Sequence, residues 1–386
     1  MKMFDFDKIN DRHTAGDIKY EPVRGADDVI PMWVADMDFR TAPCVETAIE
    51  RTARKGIYGY QSVDDEYRLL VRSWYSRRFS FEIGDEWILP SPAVMHSIAC
   101  VIRALTDEND AVLVFEPVYY PFSDVIRSNR RRLIISNLKN TEGYFEIDFD
   151  DFEKKITEND VKAVLFCSPH NPVGRVWKRE ELLCFAEICE NHELIIISDE
   201  IHSDLVYTPH RHVPIASLSE SIAMRTVTCV APTKTFNLAA IEASNIIIPN
   251  DRIRLEVRRE MQRNCLMGIN TFGIAATKAV YTDGEEWLDE LLLYLDESRR
   301  ILSDAFPHDG RIFMNIPEGT YLAWLDCRGL GLSDEELYEM MLYKAGVRLH
   351  KGSAFGTSGT GFMRLNFACP HSVLVEAIER ILRQIG

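Results

Sequence analysis

What most constrains this chain is a series of short apolar runs, each of which ends in a polar cluster. Residues 163–167 lead into Ser168-Pro169-His170-Asn171-Pro172-Val173-Gly174, residues 194–198 into Asp199-Glu200-Ile201-His202, and residues 226–231 into Pro232-Thr233-Lys234-Thr235-Phe236-Asn237. Runs of this length, separated by a helical pattern such as 180–191, read as buried parallel strands covered on both faces. An open α/β sheet builds its ligand crevice outside the carboxyl ends of such strands, so three polar clusters at three strand ends describe one site. Most lysines are solvated surface charges. Lys234 stands apart because of where it sits in this series.

The same pattern extends upstream and downstream. A short strand at 87–89 precedes Ser91-Pro92-Ala93-Val94-Met95-His96, after which Ile98, Val101, Ile102 and Leu105 recur at helical spacing. That turn places free backbone N–H groups at a helix N-terminus, an end that attracts anions. A strand at 111–115 ends in Glu116-Pro117-Val118-Tyr119-Tyr120-Pro121, where flanking prolines fix two tyrosines that either stack on a planar ligand or join the core. One more apolar strand falls at 245–248.

Residues 4–34 carry little periodicity and read as an arm packed across something else; a helix at 42–55 ends at Gly56, and Tyr58-Gly59-Tyr60-Gln61 taken alone reads as a packed turn. From 286 to 306 the residues Leu288, Leu291, Leu292, Leu295 and Leu302 trace one face of a long helix. A smaller α+β module follows: strands at 311–316 and 320–326, a Ser333/Glu336 capping box opening a helix stopped by Gly346, a strand at 361–367 and a closing helix. In that last strand Met363, Leu365 and Phe367 share the core face, which leaves Arg364, on the face of Asn366, to be explained. The expected division is an N-terminal arm at 1–28 packing with the small domain, a large domain at 29–282 and a small C-terminal domain at 283–386.

Composition excludes some functions. With 44 basic and 60 acidic side chains the net charge is −16, which repels phosphate backbones and gives no support to nucleic-acid binding. No apolar run approaches the roughly 18 residues of a membrane span, residues 1–10 lack the apolar core of a signal peptide, and a cytoplasmic location is expected. Nine scattered cysteines with no C-x-x-C read as reduced thiols, with neither a disulfide framework nor a metal site.

Taken together, His170-Asn171-Pro172-Val173-Gly174, Asp199-Glu200-Ile201-His202, Thr233-Lys234 and Arg364-Leu365-Asn366 resemble the fold type I pyridoxal phosphate (PLP) enzymes of the class I and II aminotransferase superfamily. Within it, Trp33-Val34-Ala35-Asp36-Met37-Asp38-Phe39, Tyr58-Gly59-Tyr60 and Lys234-Thr235-Phe236-Asn237 look like the cystathionine β-lyase branch of MalY/PatB type. The resemblance implies a PLP-dependent transferase fold type I, with a mostly parallel seven-stranded sheet in the large domain. It implies that Lys234 carries pyridoxal 5'-phosphate through a covalent C=N bond and removes the substrate Cα proton, and that Asp199 faces the pyridine nitrogen. Asn171 and His202 would serve the phenolic oxygen, Tyr119 would stack on the ring, and Val94, Met95 and Thr233 would bind the phosphate. Tyr60 would reach that phosphate from the other subunit of a homodimer, while Arg364, with the backbone of Ala35, would hold the substrate α-carboxylate.

Several positions depart from the superfamily pattern. Thr233 replaces a serine, Ala240 a common glycine, and His202 a tyrosine, which introduces a group whose ordinary pKa lies near neutrality. No arginine follows Lys234 at the usual phosphate spacing, and Arg252, Arg254, Arg258 and Arg259 read as a solvated helix face. The implied reaction is β-elimination from an L-cysteine thioether such as cystathionine, giving a thiol, pyruvate and ammonia. The same residues would serve an aminotransferase, and a regulatory binding protein that retains the cofactor is the alternative of another class.

Overall fold

The computed structural model describes residues 4–13, 16–265 and 268–385, so residues 1–3 and 14–15 of the expected arm, and Gly386, lie outside the described residues. The large sheet has seven strands: β1 (Ile88–Ser91), β2 (Ala111–Glu116), β3 (Arg132–Asn137), β4 (Val161–Cys167), β5 (Ile195–Asp199), β6 (Thr226–Val230) and β7 (Ser244–Ile247). Their spatial order is β1-β7-β6-β5-β4-β2-β3. Only β7 runs against its neighbours, β1 and β6, and the remaining pairs are parallel.

The two faces account for the continuous apolar runs. Leu113, Phe115, Val164, Phe166 and Ile196 pack with Phe152 and Phe185 on one side. Val112, Val114, Leu165, Ile197 and Val227 pack with Ile98, Val101 and Phe122 on the other. A strand buried on both faces has no polar position to alternate with, which is why these segments read as runs.

The small domain is built on the helix Glu285–Ala305 and an antiparallel sheet of β8 (Phe313–Met314), β9 (Leu322–Asp326), β10 (His350–Lys351) and β11 (Phe362–Asn366), ordered β8-β9-β11-β10. The Ser333/Glu336 capping box is present, and the turn of helix it opens continues as a π-helical segment to Lys344 before Gly346 turns the chain with φ +68°. The N-terminal segment is tied to this domain: Phe6 packs on Trp287 and Tyr294, and Ile30–Pro31 pairs in parallel with Val347–Arg348.

Three local expectations are corrected. Residues 57–61 are not a packed turn: Ile57, Tyr58 and Tyr60 all lie exposed on chain without regular structure. The strand expected at 311–316 shrinks to two residues, while the polar stretch after β3 forms a hairpin, Lys139–Thr141 with Tyr144–Glu146. Finally, Arg254 is buried rather than solvated, because its guanidinium donates to the carbonyls of Ile248 and Pro249; Arg252, Arg258 and Arg259 are exposed as expected.

Candidate active site

The strand ends converge on a cavity of about 340 Å³. Ten of the eleven residues singled out from the sequence border it: Ala35, Val94, Met95, Tyr119, Asn171, Asp199, His202, Thr233, Lys234 and Arg364. Tyr60 does not border it and is fully exposed. The fold explains the convergence. Asp199 is the last residue of β5, Asn171 lies in the loop after β4, and Lys234 lies in the single helical turn Pro232–Thr235 that follows β6. Val94 opens a 12-residue helix directly after β1, and no side chain caps that helix at Ala93.

The electrostatics are those of charges held without partners. Burial pushes the Asp199 carboxyl up to about 7; the N–H of Ile201, at 3.1 Å, and the positive charge of Lys234 work against that rise. Burial, reinforced by the charge of Arg364, brings the Lys234 amine down to about 8. Its Nζ donates to the Ala35 carbonyl at 2.6 Å, and the Tyr321 hydroxyl donates to the same oxygen at 2.9 Å. Arg364 comes from β11, where its guanidinium donates to Asn171 Oδ1 at 3.1 Å and to the Trp33 carbonyl at 2.8 Å, while its Nε finds no partner. It makes no ion pair among the described residues, and burial lowers it to about 10. Burial raises Tyr119 to about 12.

His202 departs from expectation. Rather than titrating near neutrality, it is held down to about 3, first by burial and then by the positive charges of Lys234 and Arg364. Its imidazole is neutral across the physiological range, and its Nδ1 is buried without a partner among the described residues.

The tertiary structure adds His350, which carried no role in the sequence, beside Trp33 and Tyr120, which the sequence named only within longer motifs. Trp33, Tyr120 and His350 border the cavity, with His350 stacked on Tyr120 at 5.3 Å and on Trp33 at 6.1 Å. His350 stands opposite Arg364 in the β10–β11 register, a pairing that no local sequence signal announces. Burial and the charges of Arg364 and Arg348 also keep it neutral, at about 3.

A site with an amine, a carboxylate and an uncapped helix end in one cavity can hold an anionic, carbonyl-bearing ring and an amino acid beside it. Known proteins share this arrangement of the chain. The family described as Aminotransferase class I and II matches residues 27–381. Cystathionine beta-lyase PatB of Bacillus subtilis (strain 168) is 40% identical over 383 residues, covering 97% of this chain and 98% of that protein. Protein MalY of Escherichia coli (strain K12) is 32% identical over 394 residues, covering 99% of each. Among solved structures, cystalysin from Treponema denticola, which contains a pyridoxal 5'-phosphate cofactor, matches with a TM-score of 0.96 at 35% identity over 99% of each chain.

Proposed function

This chain belongs to the class I and II aminotransferase family, and from that premise we propose that it is a PLP-dependent carbon-sulfur β-lyase acting on L-cystathionine or related cysteine thioethers. The observation that carries the cofactor part of the reading is the uncompensated charge of the cavity: Asp199, Lys234 and Arg364 are each shifted toward neutrality by burial, as groups are when the partner that completes them is a ligand.

The residues fit pyridoxal 5'-phosphate group by group. The free N–H groups of Val94 and Met95, on a helix without a side-chain cap, suit a phosphate, and the hydroxyl of Thr233 borders the same cavity. A carboxylate raised to about 7 makes no ion pair among the described residues, and a protonated ring nitrogen would supply one. An amine lowered to about 8 holds an appreciable unprotonated fraction near neutrality, the form that attacks an aldehyde. Asn171 spends its oxygen on Arg364, which leaves its Nδ2 free to donate, and it would serve the phenolic oxygen beside neutral His202, while Tyr119, which borders the same cavity, would stack on the ring.

When bound, the cofactor supplies an aldehyde that condenses with amines and a conjugated ring that stores an electron pair. Arg364 holds the substrate α-carboxylate through charge-assisted hydrogen bonds worth about 1.5 to 3 kcal/mol, with the Ala35 backbone alongside. Lys234 takes the Cα proton, and the β-carbon to sulfur bond then breaks with its electron pair leaving on sulfur. The thiolate takes up a proton, and water then replaces the nitrogen on the remaining three-carbon fragment, so the products are a thiol, pyruvate and ammonia. Transamination calls on the same side chains, and the assignment to the lyase rests on likeness to proteins named cystathionine beta-lyase.

Tyr60 acts on the phosphate of a second copy, so the working form is a homodimer; the exposed apolar run of Ile57, Tyr58 and Tyr60 supports this. Nine unbridged cysteines fit a reducing compartment such as the cytosol. Among the described residues no helix is long and apolar enough to cross a membrane.

Incubation with cystathionine, and separately with an amino donor plus a 2-oxo acid, tests the reading. Pyruvate and free thiol in the first reaction are the expected result. A new amino acid in the second, with neither product in the first, makes the protein an aminotransferase instead.

A further inference from the structure

Behind the cavity wall lies a carboxylate that the chemistry above does not use. Asp204 is buried, and so are the two residues that donate to it: the indole of Trp74 at 3.1 Å and the hydroxyl of Thr235 at 3.0 Å. The Arg78 guanidinium stands 3.7 Å away. Neither Asp204 nor Thr235 borders the active-site cavity.

The position of this carboxylate in the chain gives it consequence. Asp204 lies two residues after His202 on the loop that leaves β5 at Asp199, whereas Thr235 follows Lys234 in the short turn after β6. Trp74, on the helix Asp65–Phe79, is itself fixed by stacking on Tyr281 at 5.0 Å and by an edge contact with Phe236 at 5.8 Å. One side chain therefore joins the loop bearing the carboxylate to the turn bearing the amine, and anchors both to a rigid helix. A turn of four residues has few internal hydrogen bonds to hold its own orientation, so an external tie decides where the Lys234 amine points.

We infer that Asp204 is a positioning residue which, through Thr235, fixes the separation between the Lys234 amine and the Asp199 carboxylate. The inference rests on the reading that Lys234 carries the cofactor. A carboxylate suits the task because it offers two accepting oxygens: Oδ1 takes the indole of Trp74 at 3.1 Å, while Oδ2 accepts from Thr235 at 3.0 Å and from Trp74 at 3.4 Å. Burial raises the Asp204 carboxyl above its ordinary range, opposed by Arg78 and by the two hydrogen bonds.

The test is Thr235→Val in the PLP-loaded protein, which removes the hydroxyl and keeps the shape. The expected result is a kcat loss of about 10- to 100-fold with KM nearly unchanged, as a displacement of about 1 Å at a reacting group produces. The midpoint of the pH titration of the cofactor's visible absorbance moves with it, by about half a unit. Thr235→Ser restores both values. Trp74→Phe breaks the hydrogen bond that anchors the same carboxylate and moves the titration in the same direction by a smaller amount. A Thr235→Val protein that titrates and turns over like the native one overturns the inference. A native protein that develops no visible band with PLP overturns this inference and the assignment of Lys234 together.

Discussion

Two clusters of buried charge lie on either side of residues 33–38 and follow opposite rules. On the arm side, Lys19 meets Asp38 at 2.9 Å, while the guanidinium of Arg12 bridges Asp17, Asp36 and Asp38, each at 2.8 Å. Burial works to raise Asp36, yet its hydrogen bond from Arg12 and the charge of Lys19 bring it below its ordinary value. On the cavity side, Lys234 and Arg364 make no ion pair among the described residues and are displaced toward neutrality. Within one stretch of chain, charges that serve the fold are compensated by the chain itself. Those proposed to serve chemistry leave that compensation to a ligand.

Removing members of each cluster sharpens this contrast. Lys234→Ala has the largest expected effect: loss of the visible absorption band with PLP and a fall in turnover of about 10³-fold or more, as removal of an acid-base group produces. Retained turnover would take Lys234 out of its role. Arg364→Lys follows, with a fall in kcat/KM of about 10- to 100-fold from losing the two-point contact, read from steady-state kinetics with cystathionine.

Stability separates the clusters by sign. Lys19→Met should cost about 3 kcal/mol in urea unfolding, because it leaves a buried carboxylate short of a partner. Arg364→Met in the cofactor-free protein should leave the unfolding midpoint unchanged or raise it, since that guanidinium is uncompensated. Equal losses in both variants would erase the distinction.

The pH dependence of the cofactor-free protein tests the same idea with a smaller effect. Asp199 binds its proton more tightly when folded, at about 7 against an ordinary 3.8. Its contribution to stability is therefore full below about pH 4 and is lost as pH rises to 7, with a ceiling of roughly 4 kcal/mol. Lys234 works the other way: its folded value of about 8 lies below 10.5, so its penalty is present below pH 8 and fades toward pH 10.5. Asp199→Asn should flatten the fall in stability as pH rises from about 4 to 7 in pH-dependent melting curves, and an unchanged curve would remove Asp199 as its source. The smallest effect belongs to Tyr60→Phe, about 5-fold in PLP affinity for one hydrogen bond. A hybrid of Tyr60→Ala and Lys234→Ala chains should recover activity in one of its two sites if Tyr60 acts across a dimer; no recovery removes the shared site.

The sequence alone determined six of the seven strands of the large sheet and the identity of most residues at the strand ends, while β3 and helices such as Asp65–Phe79 were not read from it. Apolar runs, their closing turns and the capping box at Ser333 are local patterns, and local patterns survive without coordinates. That is why Lys234, Asp199 and Asn171 were legible while lying far apart in the chain. What only the tertiary structure decided depends on groups brought together from distant segments. His202 is neutral because burial and two remote cations hold it so, Arg254 is buried because its helix presents it to the carbonyls of Ile248 and Pro249, and His350 reaches the cavity through an antiparallel register with Arg364. Desolvation and Coulomb energy are set by three-dimensional neighbours, so a sequence can name a charged group long before it can say what state that group is in.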